Sequence, residues 1–327
     1  MTDPLHIDPS KKQPARTRPF AFMRTSRMRY LWVVGVALYV AIVWYLGWRR
    51  IASEFASIDV RPLAGMAVGL ISALWIRAAK WRLILGPNQE AARLFFISKA
   101  GGAMSPGRFG ELAPLLFREH RTTRLGAWII ADRLMEGGST IALGILGLSL
   151  SQAPKEHMAL TFGIALVVLA LGPFIVLTRQ DFFTRMAGRT REGSRLHRVC
   201  LLLADLSREM LLLGRALPVA CAITIFCTCL DIGVARMLYG CLGYWAPFAL
   251  LAVVQCAHGL ASVTPITPNA TGVPYLVAAT LLYNIGGVPK ESLAAAVGIT
   301  VAMTGMVFWT SFLIGVFALK RRTENNI

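Results

Sequence analysis

The sequence predicts an all-α polytopic membrane protein with six transmembrane helices and two re-entrant broken helices, arranged as an inverted repeat. Of its 327 residues 55% are hydrophobic and only 16% are charged, which is too apolar for an ordinary soluble domain. The apolar residues form runs of about 20, the length that spans a bilayer as a helix. Two further apolar stretches are interrupted by Pro and Gly, which predicts broken helices.

The basic residues indicate a membrane rather than nucleic acid as the partner. The net charge is +17, but the Lys and Arg residues cluster between the apolar runs. Positive cytoplasmic loops and anionic lipid headgroups explain that distribution. The six cysteines lack zinc or redox spacing, and no P-loop or dinucleotide motif precedes a helix. We therefore expect no metal and no cofactor.

The first half begins with a basic, disordered cytoplasmic tail over residues 1–29. Transmembrane helices are predicted over 30–48, 62–85 and 125–150. Between the second and third of these lies the apolar segment 91–117, which is too short on either side of its break to span the bilayer twice. Basic residues flank both of its ends, so we expect a re-entrant hairpin with residues 105–111 at its tip.

The second half repeats this order. Transmembrane helices are predicted over 157–177, 217–239 and 291–319, and a second broken segment over 248–283 has its break at 264–272. The basic segment 179–208 belongs on the cytoplasmic side, and residues 196–213 should form a helix at the membrane surface. A short cytoplasmic tail covers 321–327.

The parity of the crossings supports the inverted repeat. Both termini are basic and hence cytoplasmic, which requires an even number of crossings. Within one domain over 30–320, the half-repeats of about 30–150 and 157–319 enter the membrane from opposite sides. Broken helices in corresponding positions of such halves are typical of transporters. Eight full spans have the same parity and are the alternative.

Four motifs are similar in order and spacing to those of one family. They are Pro106-Gly-Arg-Phe-Gly-Glu111, Ala131-Asp-Arg-Leu-Met-Glu136, Lys80-Trp-Arg82, and Pro265-Ile-Thr-Pro268 with the following Gly272 and Gly287. Together they resemble the lysylphosphatidylglycerol synthase transmembrane-domain family, also called flippase-like, over roughly residues 30–320.

The resemblance implies movement of a lipid or lipid-linked substrate between the leaflets of the bacterial inner membrane. The substrate would be an anionic phospholipid, a polyprenyl-phosphate-linked lipid or a hopanoid lipid, and the oligomeric state stays open. Some members of the family continue into an aminoacyl-transferase domain. Only a short tail follows the last predicted helix here, so we expect no synthase activity and no enzyme.

The second half departs from the family pattern. Asn269-Ala270 replaces a Gly-Gly pair, Tyr275 stands near the position of a Glu, and residues 300–304 lack an Arg. Either the first half binds the headgroup, or passage through the second half is altered. The alternatives are a lipid-headgroup transferase with Glu111 or Asp132 as base, and a non-transporting subunit of a lipid-synthesis complex.

The first broken segment holds the leading candidate residues. Arg108 is expected to bind a phosphate through bidentate hydrogen bonds, and Glu111 to pair with it or accept a proton. Gly107 and Gly110 would permit the turn and a close approach of the backbone. The alternative is that Arg108 and Glu111 only neutralise each other.

Charges within other predicted helices complete the set, because charges at membrane depth are costly and usually functional. Asp132, Arg133 and Glu136 lie within one turn, where they form a network facing the tip or a salt bridge at the start of the helix. Asp231 would pair with Arg236 or with Arg77. The candidate substrate-binding residues are Arg108, Glu111, Gly107, Gly110, Asp132, Arg133, Glu136, Arg77, Asp231, Arg236, Pro265, Pro268 and Gly272.

Two further basic residues are expected to have no part in such a site. Lys80 and Arg82 lie at the cytoplasmic end of the second predicted helix, where long basic side chains extend towards the headgroups.

Overall fold

A computed structural model describes residues 60–86, 89–104, 109–116, 123–151, 180–192, 194–214, 216–262 and 273–324, together with five isolated positions. Every regular element within these ranges is a helix. The predicted tail 1–29 lies outside them. So do the predicted helices 30–48 and 157–177, apart from isolated positions.

The described residues of the first half form three α-helices and a 3-10 helix. Helix α1 covers Val60–Leu85, α2 covers Gln89–Met104 and α3 covers Thr123–Leu150, and the 3-10 helix Phe109–Leu116 lies between α2 and α3. These bounds lie within two residues of those predicted for the helices 62–85 and 125–150. Residues 105–108, at the predicted tip, lie outside the described residues.

The second half has six described helices. They are α4 (Gln180–Arg189), α5 (Arg195–Leu212), α6 (Leu217–Cys241), α7 (Phe248–Ser262), α8 (Val273–Asn284) and α9 (Lys290–Glu324). Helices α7 and α8 border the second predicted break. The break itself, residues 264–272, lies outside the described residues.

Three helices of the described part are long and apolar enough to cross a membrane. These segments are Arg61–Leu85, Leu217–Cys241 and Ala295–Ile314. Helix α3 has 28 residues, about 42 Å at 1.5 Å per residue, but carries four charges in its first half. Large apolar side chains such as Val68, Leu146 and Phe226 are exposed, as expected where lipid covers the surface. The chain is thus a multi-pass integral membrane protein.

Two helical segments differ from the prediction. The basic segment before α5 was expected to be a loop, but it contains α4, because its apolar and polar residues alternate with helical period. Ser194 caps the N-terminus of α5, where its hydroxyl oxygen accepts a hydrogen bond from the His197 backbone amide at 3.1 Å. Helix α9 continues to Glu324, beyond the predicted end at 319, since basic residues suit a helix C-terminus.

Helices α1 and α6, which occupy equivalent places in the two halves, pack against each other in antiparallel orientation. A Cβ atom on Gly65 would lie 3.3 Å from Met237, and one on Gly69 would lie 2.9 Å from Val234. Further along, Lys80 reaches Thr224. Small residues spaced by four let the two backbones approach closely.

Most of the remaining contacts between described helices occur in matching pairs. Helix α2 contacts α9, and α7 contacts α3. Helix α2 packs on the 3-10 helix as α7 packs on α8, and α1 contacts α2 as α6 contacts α7. Each of these contacts therefore has a counterpart, whereas the contacts of α5 with α3 and with α4 have none among the described helices.

The buried side of the first half is built around aromatic rings and one ion pair. Trp81 makes edge-to-face contacts with Phe95 and Trp128, with ring centroids 5.6 and 6.3 Å apart. Lys80 is fully buried beside them and pairs with Asp132, which also accepts a 3.1 Å hydrogen bond from the Trp81 indole. The prediction that Lys80 extends to the headgroups is wrong, because a buried carboxylate lies within its reach.

The 3-10 helix lies directly against α2. The Ser98 hydroxyl donates to the Glu111 carbonyl at 2.8 Å, and a Cβ atom on Gly101 would overlap the carbonyl oxygen of Gly110. The backbone of Gly110 thus packs closely against α2, and the absence of a side chain on Gly101 permits this contact.

We expect Lys80→Met to lower the free energy of unfolding by about 3–5 kcal/mol, because it removes the closest cation of the buried Asp132 and leaves only Arg133, 3.5 Å away. The double variant Lys80→Met/Asp132→Asn should recover much of that loss. Thermal unfolding of the detergent-purified protein measures both. Equal stability of Lys80→Met and wild type would contradict the assignment of this pair to the core.

Gly101→Ala should destabilise the protein by about 1–3 kcal/mol, because the added methyl group forces α2 and the 3-10 helix apart. The matched control is Gly233→Ala on α6, where no atom of the described residues lies within 4 Å of the new Cβ. The control should unfold at or slightly above the wild-type temperature, since Ala favours a helix. Equal unfolding temperatures for the two variants would disprove the close contact.

Candidate functional site

Eight charged side chains form one connected network inside the bundle. They come from α1, α2, the 3-10 helix, α3 and α6, and each is at least partly buried. Among the described residues it joins four cations to four carboxylates: Arg77, Lys80, Lys99 and Arg133, with Glu111, Asp132, Glu136 and Asp231.

Glu136 on α3 is the centre of the network. Its carboxylate lies 2.5 Å from Arg133 Nη1, 3.0 Å from Lys99 Nζ and 3.9 Å from Arg77 Nε. Three cations from α1, α2 and α3 therefore converge on one carboxylate. The predicted pairing of Arg133 with Glu136, three residues apart, is present.

Arg133 connects this centre to the 3-10 helix. Its Nε lies 2.7 Å from Glu111 Oε2, and its Nη2 lies 3.5 Å from Asp132 Oδ2. The network of Asp132, Arg133 and Glu136 therefore faces Glu111 in the segment after the first predicted break. This arrangement agrees with the predicted network rather than with a salt bridge confined to the start of the helix. The partner expected for Glu111, Arg108, lies outside the described residues.

Arg77 connects the network to the second half. Its Nη2 lies 2.5 Å from Asp231 Oδ2 on α6, and its Nη1 donates to Oδ1 at 3.4 Å. Of the two partners predicted for Asp231, the structure selects Arg77. Arg236 is exposed on α6, and no ion pair among the described residues joins it to Asp231, so its place in the site stays a prediction. It lies five residues beyond Asp231 and thus on another face of the helix.

Burial divides the network into two parts. The side chains of Lys80 and Asp132 are 0% and 1% exposed, whereas those of Arg133 and Asp231 are each 24% exposed. A ligand can reach the second part without unfolding the first. Lys80 with Asp132 therefore serves the core, and the residues around Glu136 form the accessible part.

A cavity of about 330 Å³ adjoins the accessible part. Its wall comes from α1 in the first half and from α6, α7, α8 and α9 in the second, and most of its lining is aliphatic. Arg77 and Asp231 form one charged portion of the wall. Gln255, His258 and Tyr275 add polar groups, and the last two rings meet edge to face at 5.1 Å. A largely apolar cavity with a few polar groups suits an amphiphilic ligand.

The remaining predicted residues are not placed. Gly107, Arg108, Pro265, Pro268 and Gly272 lie outside the described residues. Tyr275, which stands where the resemblance expected a Glu, lines the cavity wall.

Lys99 is the residue that the sequence-based prediction missed. It lies on α2, within the apolar part of the first broken segment, and it contacts Glu136. A lysine within a predicted membrane-embedded segment is itself a signal of function, and that signal was present in the sequence.

The accessible part of the network is suited to holding an anion. Arg77 and Arg133 present planar guanidinium groups, which bind phosphate or carboxylate through paired hydrogen bonds, and Lys99 adds a point charge. Within the described residues, no three His, Cys, Asp or Glu side chains are grouped as a metal site. The four carboxylates of the network are instead paired with Lys and Arg.

The family comparison bears on the whole of this region. Residues 32–315 match the family model described as the lysylphosphatidylglycerol synthase TM region. No curated protein and no solved structure matches the chain. The matched stretch contains all eight members of the charged network and every described helix but the end of α9. The chain belongs to the lysylphosphatidylglycerol synthase TM-region family.

Proposed function

We propose that this protein translocates a lipid or lipid-linked substrate with an anionic headgroup across the bacterial inner membrane, with both of its own termini in the cytoplasm. Membership of the family supports a role with membrane lipids. The observation that carries the proposal is the position of Arg77. It belongs both to a cluster of partly accessible cations and to the wall of an apolar cavity between the two halves.

The headgroup and the apolar part of the substrate would occupy different places. Arg77, Lys99 and Arg133 supply the positive charge for a phosphate, while the aliphatic lining of the cavity suits the adjacent apolar part. The long tails would remain in the surrounding lipid. This division lets the charged group cross without entering hydrocarbon, which is the costly step of lipid translocation.

The matching helix contacts support alternating access as the mechanism. Helices α1 and α6 are equivalent in the proposed inverted repeat and run antiparallel, as a two-fold axis in the membrane plane requires. Every contact of α2 with its neighbours has a counterpart made by α7. In transporters with this symmetry, one half moves against the other around a fixed site at their interface. The Arg77–Asp231 pair spans that interface.

Transferase chemistry has less support. The two carboxylates considered as bases are Glu111, whose side chain is 5% exposed and bound to Arg133, and Asp132, which is buried against Lys80. A general base has to reach the proton that it removes. We therefore propose that the protein is not an enzyme.

Leaflet exchange of a labelled anionic phospholipid in proteoliposomes tests this function. Arg77→Gln and Arg133→Gln should each reduce the exchange rate by about 10-fold or more, because each removes a cation that binds the phosphate. The matched control is Arg82→Gln, five residues further along α1 and exposed, which should exchange like the wild type.

Three results would count against translocation at this site. Exchange that is the same in all three variants would disprove the site. An absence of exchange in the wild type with several anionic lipids would favour a non-transporting subunit. A new covalent lipid product in the same vesicles would favour the transferase.

Filling the cavity should also block exchange. Ala279 lines the cavity on α8, and Ala279→Trp would occupy much of its volume. The next residue, Thr280, is exposed, so Thr280→Trp adds the same bulk outside the cavity. We expect at least about 10-fold slower exchange for Ala279→Trp and near wild-type exchange for Thr280→Trp. Similar rates for the two Trp variants would show that the cavity is not on the path.

A further inference from the structure

We propose that Glu136 is a resident counterion, which a substrate phosphate displaces when it binds. The inference rests on the proposed function and names the chemical class of the headgroup: a phosphate anion that takes the place of a carboxylate among Arg77, Lys99 and Arg133. Loading and release would then be an exchange of one anion for another at a site whose charge stays balanced.

The first support is the geometry around Glu136. Both of its oxygens are engaged, with Lys99 Nζ at 3.0 and 3.3 Å from the two and Arg133 Nη1 at 2.5 Å from one. Arg77 approaches from a third helix at 3.9 Å. An arrangement of two guanidinium groups and one ammonium group around a small anion is the arrangement that binds a phosphate.

The second support is that the neighbouring cations keep partners when Glu136 leaves. Arg133 still has Glu111 at 2.7 Å and Asp132 at 3.5 Å, and Arg77 still has Asp231 at 2.5 Å. Without Glu136, Arg77 therefore keeps a hydrogen-bonded carboxylate, and Arg133 keeps two carboxylates within ion-pair distance. These anchored cations would stay in place while the anion between them changes.

The third support is accessibility. The side chain of Glu136 is 18% exposed, whereas that of Asp132, four residues earlier on the same helix, is 1% exposed. An incoming anion can therefore reach the position of Glu136 but not that of Asp132. The two acids of α3 thus differ in the one property that displacement requires.

The exchange has a consequence for release. With no substrate, four described carboxylates balance four described cations, so an empty site without Glu136 would carry a net positive charge. A phosphate bound to uncompensated cations would dissociate slowly. Return of Glu136 to the cations would promote release, which a translocator needs on the second side of the membrane.

Glu136→Gln tests the displacement, because it keeps the size of the side chain and removes the competing charge. Native mass spectrometry of the detergent-purified protein titrated with phosphatidylglycerol measures the affinity, and phosphatidylcholine is the zwitterionic reference. We expect Glu136→Gln to bind phosphatidylglycerol about 10-fold more tightly than wild type, the low end of what close charge pairs contribute. Asp205→Asn removes an exposed acid on α5 and should leave the affinity unchanged.

A double-mutant cycle with Lys99 keeps the proposal testable if Glu136→Gln loses stability. In the wild-type background, Lys99→Gln should change the affinity for phosphatidylglycerol by less than about threefold, since the lost phosphate contact is offset by the lost contact with Glu136. In the Glu136→Gln background, the same substitution should weaken binding by about 10-fold. Additive effects would overturn the displacement.

A loss of affinity for phosphatidylglycerol in Glu136→Gln would also overturn the proposed displacement. If Glu136 holds Lys99 and Arg133 in position for the ligand, Glu136→Gln will bind phosphatidylglycerol more weakly than wild type. Titration with inorganic phosphate separates the two sources of the anion. Tighter binding of phosphatidylglycerol alone supports a lipid headgroup, and equal gains for both ligands would overturn the lipid in favour of free phosphate.

The outcome is independent of the outcome for translocation. Tighter binding by Glu136→Gln without leaflet exchange in the wild type would uphold the counterion and reject the translocator. Normal exchange in the wild type with no gain in affinity for Glu136→Gln would reject the counterion alone.

Discussion

Charged groups inside an apolar helical bundle have to be paired, because little water is available to solvate them. This constraint organises the protein around α3. Three of its charged residues, Asp132, Arg133 and Glu136, lie within one turn and are compensated by side chains from α1, α2 and the 3-10 helix. Arg77 extends the pairing to Asp231 on α6 and so ties the two halves of the chain together.

The same constraint gives the network two roles. Lys80 and Asp132, buried beside Trp81 and Trp128, hold the first half together. The groups around Glu136 are partly accessible and adjoin a cavity whose wall both halves share. A site for an anion that must also leave needs two things. It needs a buried ion pair that holds the helices in place, and beside it accessible cations whose anion can be exchanged.

The helices could largely be predicted from the sequence, because membrane helices depend on local apolar length. The described part of α2 ends at Met104 and that of α7 at Ser262, next to the stretches with Pro and Gly that the sequence predicts as breaks. The partners of the charges could not be predicted, since they depend on how helices distant in sequence pack. Lys80 was expected at the headgroups and is buried, Asp231 had two candidate partners, and Arg236 faces away. The pairing of Arg133 with Glu136, three residues apart on one helix, was the local exception.

The most direct measurement is an experimental structure of the protein in nanodiscs of phosphatidylglycerol, determined by electron cryomicroscopy. We predict density for a lipid phosphate among Arg77, Lys99 and Arg133. The apolar part of the lipid should lie in the adjoining cavity, and the Glu136 side chain should be turned away from the three cations. Lipid bound only elsewhere on the protein, with Glu136 still in contact with all three cations at saturating lipid, would contradict this prediction.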